Sequence, residues 1–197
     1  MNTFKFSFIL CAVLLTSALT GQAVINPGIQ SALNGFIEQS NKKDWDKAFE
    51  YLYPKLFNKV PKHELVDLMA GMEADGMSLN MKDVRITSTS VPVEEGNETF
   101  VRVEYEANMT VDITPGGIYD YPKSAMAIEQ QFQATYGERN VKYNADNKSY
   151  SVNAHKAMMA IKGADQTWKL VEINMDQPDL MEYLFSPSIM DALVRVE

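Results

Sequence analysis

The sequence predicts an α+β fold: N-terminal helices packed on a curved antiparallel β-sheet, with short C-terminal helices closing the chain. Two observations carry that prediction. Apolar residues recur at helical spacing as far as Asp75-Gly76, and beyond it the period drops to two. The clearest strand is TFVRVEYEANMTVDI, Thr99–Ile113, where Val101, Val103, Tyr105, Ala107, Met109, Val111 and Ile113 point one way and mostly charged neighbours the other. A long strand with one dry and one wet face belongs to an antiparallel sheet, because parallel strands are usually buried on both faces.

The helices come first. Asn26-Pro27 joins a capping side chain to a proline suited to the first helical position, and Ile29, Leu33, Phe36 and Ile37 share one face to about Ser40. Asp44 can cap a second helix through Trp45, Ala48, Phe49 and Leu52, which Pro54 ends or kinks. A third starts at Pro61, sets Leu65, Leu68, Met69 and Met72 on one stripe, and stops before Asp75-Gly76.

Strands follow at Val84–Ile86 and Thr99–Ile113, with a turn at residues 91–97 between them. After the break at Thr114-Pro-Gly-Gly, Ser124–Tyr136 returns to helical spacing and Gly137 stops it. Strands are then expected at Val141–Asn144, from Tyr150 onward, and at Thr167–Ile173, with closing helices at Pro178–Phe185 and Pro187–Leu193, the second capped by Ser186. Inside the long strand the apolar residues change parity, from Tyr150, Val152 and Ala154 to Ala157, Met159 and Ile161. Either a β-bulge centred on His155-Lys156 or burial on both faces near Met158–Ile161 accounts for it.

Residues 1–23 have the three parts of a secretory signal: Lys5 as the positive start, the apolar run Phe6–Leu15, and small residues at Gly21-Gln22-Ala23. The run is shorter than the roughly 20 residues that a bilayer span takes. Export to the periplasm or the cell exterior is expected, followed by one domain over residues 24–197 with no membrane anchor. Cys11, the only cysteine, would leave with the signal, so thiol nucleophiles and disulfide frameworks are excluded from the processed chain. The net charge of −8 is spread along the chain and forms no basic stripe, which excludes nucleic acid as a partner.

Three stretches, FIEQSNKKDWDKAFEYLYPKLFNKVPKHELVDLM, ATYGERNVKYNADNKSYSV and AMMAIKGADQTWKLVEI, resemble the helical arm, the entry to the main hairpin and the final strand pair of the NTF2-like superfamily, the cystatin-like α+β cone. The likeness is greatest to uncharacterised secreted members from Bacteroidetes-type bacteria. It implies a pocket between the helices and the concave face of the sheet. The superfamily holds isomerases, dehydratases and polyketide cyclases beside many binding domains, so it does not choose a chemistry.

Enzymes of such a fold place an Asp, Glu, His or Tyr on the concave face and tune it by desolvation. On Thr99–Ile113 only Thr99 and the hydroxyl of Tyr105 interrupt the inward apolar set. The last strand offers Glu172, in register with Trp168 and Leu170, against a set of Lys169, Val171 and Ile173; which set is inward stays open. The sharpest acid–base pair the residues allow is His155 with Glu172. His63 and Asp67 stand one turn apart in HELVD, short of the three or four ligands of a firm metal site, so no metal and no cofactor is expected.

The chain holds 12 methionines, and Met69, Met72, Met77, Met81, Met109, Met158 and Met159 fall on elements that should approach one another. Methionine adapts to irregular gaps and to varied partners. One reading is a filled core; the other is a plastic apolar pocket with Tyr105, Met109, Met158 and Trp168 as its ligand-binding residues. The function expected is therefore a non-enzymatic binding or association domain with a small apolar ligand, or with a protein partner or second copy. The alternative is an isomerase- or dehydratase-type enzyme with an acid–base residue on the concave face.

Overall fold

A computed structural model describes residues 25–195. The expected signal, residues 1–23, lies outside them. Helix α1 spans Pro27–Asn41, and the Asn26 side chain accepts from the Gly28 N–H at 2.9 Å at its start. Ile29 and Leu33 are buried, with Phe36 and Ile37 packed beside them. Asp44 caps α2, but α2 covers only Trp45–Ala48. The expected longer helix gives way to single 3₁₀ turns at Phe49–Tyr51 and Pro54–Asn58. The cause lies in the sheet: Leu52 leaves the helix to bridge Leu170, and the Tyr53 N–H donates to the Leu170 carbonyl at 2.9 Å. Helix α3 covers Lys62–Ala74.

Six strands form one open antiparallel sheet: β1 Met77–Thr89, β2 Val93–Glu95, β3 Glu98–Ile113, β4 Val141–Asn144, β5 Ser149–Lys162 and β6 Trp168–Glu172. The long strands β3 and β5 lie side by side at its centre. β1 and β2 share the far edge of β3, and β4 and β6 share the far edge of β5. β1 begins at Met77, well before the expected Val84. Register shifts between Lys82 and Arg85 and between Ile86 and Ser88 put its halves out of phase, so no single alternation runs through it. Such bulges bend and twist a sheet.

The bulge expected as one account of the parity change at His155-Lys156 is corrected. Pairing of β3 with β5 runs unbroken from Thr99 opposite Lys162 to Asp112 opposite Ser149. The other account holds: Met158, Met159, Ala160 and Ile161 are all buried. Met158 and Ala160 face α1, while Met159 and Ile161 face the C-terminal segment, so every side chain in that stretch meets a dry neighbour.

That arrangement sets the layers. On one face, α1 covers Val101, Val103, Met158, Ala160 and Leu170. Beside it α4, Pro122–Tyr136, lays Ile128, Phe132 and Tyr136 over Val111, Tyr150 and Val152. On the opposite face α5, Pro178–Leu184, and α6, Pro187–Ile189, with a π turn over Met190–Val194, pack on Phe100, Met159, Ile161 and Val171. Arg102 extends from this second face to donate to the carbonyls of Leu193 and Val194, tying down the end of the segment.

The free edge of β1 is closed by side chains. The Asn41 amide donates to the Met81 carbonyl and accepts from the Met81 N–H, both at 2.8 Å, and the Lys43 ammonium donates to the Leu79 carbonyl. An exposed edge is a template for pairing with another chain. Asn41→Ala should lower stability by about 1–2 kcal/mol and raise concentration-dependent association, read by urea denaturation and light scattering. An Asn41→Ala protein with unchanged urea midpoint would remove this role.

Candidate functional site

The half of the face beneath α4 is not filled. An apolar cavity of about 130 Å³ lies there. Its floor is Met77 and Leu79 of β1, Met109 and Val111 of β3, and Val152 of β5; its walls are Met69, Met72 and Glu73 of α3 and Phe132 and Tyr136 of α4. The local reason is the character of α3. That helix has no fully buried residue, and Leu68 of the expected apolar stripe points to solvent at 57% exposure. α3 therefore stands as a side wall, fastened at one end by Leu65, Val66 and Met69 against Trp45 and Phe49.

The polar groups around the cavity fall into two sets. At the α3 side, Glu73 Oε1 accepts from the Trp45 indole N–H at 3.2 Å and stands 4.0 Å from Lys43 Nζ. Burial holds the Lys43 ammonium below the usual lysine range, opposed by the charges of Glu73 and Asp112. The second set follows from the register. Beyond Met109 and Val152 the floor passes through the pair Ala107–Ala154 to Tyr105, which stands opposite Lys156. Lys156 Nζ lies 2.9 Å from Glu172 Oε1 and 5.0 Å from the centre of the Tyr136 ring. Glu172 pairs with Met158 and so lies on this concave face, which settles the inward set of the last strand as Trp168, Leu170 and Glu172.

Burial, with the negative charge of Glu172 second, pushes the Tyr136 phenol up to about 12. Tyr105 is raised further by burial, then by Glu172 and Tyr136. Among the described residues neither hydroxyl has a hydrogen-bond partner, whereas Tyr53 donates to Glu98 and Tyr150 to the Ala125 carbonyl. Beside them the outer edge of β5 carries a notch. Strand pairing with β4 ends at Val152 and pairing with β6 starts at Met158.

The residues singled out from the sequence are dispersed. Met109 lines the cavity, and Tyr105 stands one alanine row beyond it. Met158 is buried beneath α1 and does not line this cavity. Trp168 lies against the start of α1, so close to Gly28 that a Cβ there would come within 2.6 Å of its ring, and Lys162 stands 5.6 Å over it. His155 and Glu172 do not meet: β-sheet parity puts His155 on the opposite face, where its Nδ1 is 3.3 Å from Glu106 Oε1. Residues the sequence reading left out of the site include Phe132, Tyr136 and Glu73 on the helices. Their helical spacing was readable; that α3 and α4 would stand apart over the sheet was not.

No family model matches the chain, and no curated protein matches it. Among solved structures, it is similar to the intermembrane-space region of the chloroplast protein ARC6, at 10% identity and a TM-score of 0.41, over 74% of this chain and 92% of that one. It is also similar to a Xanthomonas campestris protein assigned as a polyketide cyclase, at 14% identity and a TM-score of 0.35, over 80% and 97% of the two chains. A third is a Streptomyces avermitilis protein assigned as a dehydratase of the NTF2-like family, at 13% identity and a TM-score of 0.34, over 73% and 89%. At such identities and scores these likenesses leave activity and ligand unaddressed. The α+β architecture stands on the strand order and the helix packing themselves.

Proposed function

We propose that the chain is an exported, non-enzymatic binding module that holds a small apolar or amphipathic ligand between α3, α4 and the sheet. The observation that supports this reading is the apolar cavity of about 130 Å³ walled by Met69, Met72, Met77 and Met109. An apolar cavity of roughly this volume suits a ligand of about the bulk of a single aromatic ring. Methionine walls let it adapt to somewhat larger guests. The charged groups nearby already have partners: Glu73 with Trp45 and Lys43, and Lys156 with Glu172.

The test is direct. Toluene should saturate the protein at a single site, followed by shifts of methionine methyl resonances in NMR. Val111→Phe, which fills the floor, should weaken it at least about tenfold. Saturation that Val111→Phe leaves unchanged would place the ligand elsewhere. Export is checked by fractionating the host and reading the N-terminus of the recovered protein, with Val24 expected first.

The alternative is an isomerase- or dehydratase-type enzyme. It draws on Glu172, a carboxylate on the concave side near the raised phenols of Tyr105 and Tyr136. Against it, Glu172 is half-exposed and already paired with Lys156. Association with a protein partner or a second copy through the other sheet face would have to match the ion pairs Arg85–Glu106 and Arg102–Glu104. Light scattering on the purified chain distinguishes that assembly from a lone binding module.

A further inference from the structure

We infer that the ligand of this cavity is an uncharged molecule whose apolar body lies among the methionines and whose single hydrogen-bond acceptor, a carbonyl or ether oxygen, is met by the hydroxyls of Tyr136 and Tyr105. The inference rests on the ligand-holding reading of the cavity and adds the chemical class. Tyr136 belongs to both regions: its ring lines the cavity, and Lys156 stands 5.0 Å from that ring on the side of Glu172. Between the cavity floor at Met109 and Val152 and the Tyr105–Lys156 row there is only the pair Ala107–Ala154. These two smallest chiral side chains leave the floor low, and both are buried.

Both phenols lack an internal partner among the described residues and both side chains are half-buried, so a guest that covers them must supply an acceptor in place of the water it displaces. Their raised pKa values keep them donors at any physiological pH. An anionic head is disfavoured. Among the described residues the cation beside the phenols is Lys156, neutralised by Glu172 at 2.9 Å, and a second carboxylate, Glu73, lines the α3 wall. A carboxylate guest would thus enter an apolar cavity with two acids near it and, among the described residues, no unpaired positive charge lining it.

The experiment compares toluene, acetophenone and benzoate on the full chain and on Tyr136→Phe and Tyr105→Phe, each checked by circular dichroism. In the unsubstituted protein, acetophenone should bind at least about tenfold more tightly than benzoate. The ratio of acetophenone to toluene affinity should fall by about threefold to tenfold in Tyr136→Phe, with toluene itself little changed. Tyr105→Phe should lower the same ratio, and it carries the test if Tyr136→Phe does not fold. Toluene binding with an unchanged ratio in the phenylalanine variants, or benzoate binding as tightly as acetophenone, overturns this inference and leaves the apolar-ligand reading standing. Absence of binding by all three overturns both.

Discussion

Met159→Ala should lower the unfolding free energy by about 2–5 kcal/mol, whereas Met109→Ala should cost about 1 kcal/mol. The two residues are the same type on adjacent central strands, yet their surroundings differ. Met159 has no solvent exposure and packs among Phe100, Phe185 and Ile189 on the face closed by the C-terminal segment. Truncation there leaves a void that close-packed neighbours cannot fill. Met109 already borders open space, so its loss enlarges a cavity and creates none. Urea denaturation of the two variants gives the comparison. Equal costs would mean that the space beneath α4 is filled in solution, and the binding reading would go with it. Toluene should raise the stability of both variants by mass action, because neither substitution removes the cavity beneath α4.

The second large effect is alkaline. The phenols of Tyr53, Tyr105 and Tyr136 are all raised in the folded chain, first of all by burial; Tyr53 is raised further by its hydrogen bond to Glu98, and the other two by the charge of Glu172. In the unfolded chain each ionises near its ordinary value of about 10. Between that value and the folded one the unfolded state has fewer protons bound, so stability falls as pH rises; below it the contribution is fully present. Urea midpoints should therefore hold steady to about pH 9.5 and fall beyond it, with a loss of roughly 2 kcal/mol or more by pH 12. Tyr136→Phe should flatten part of that slope, since phenylalanine has no proton to lose. A Tyr136→Phe protein with the same alkaline slope would show that this phenol titrates freely.

Much of the chain's local order was legible because it depends on neighbours in sequence. Asn26 and Asp44 cap the helices where they were expected to, and Ser186 accepts from the Ile189 N–H to start α6. The alternation of β3 was readable from end to end, since one side of that strand faces mostly solvent. Where both faces are dry, as at Met158–Ile161, alternation vanishes and a bulge reads the same as a buried run. The truncation of α2 was out of reach for a different reason: the backbone of Leu52 and Tyr53 is captured by Leu170, more than a hundred residues away.

The site divides along the same line. By itself the sequence determined the α+β order, the inward set of β3 and the methionine-rich character of the elements that meet there, because periodicity and capping are local properties of the chain. Only the tertiary structure decided that Met109 borders a cavity while Met158 is sealed beneath α1, that Glu172 joins Lys156 and not His155, and that Tyr136 lines the cavity with Tyr105 one alanine row beyond it. The physical reason is that a strand's pattern tells which side is dry but not what dries it. A packed helix and an empty cavity both exclude water, and the spacing of α3 and α4 over the sheet, which no local pattern encodes, makes the difference.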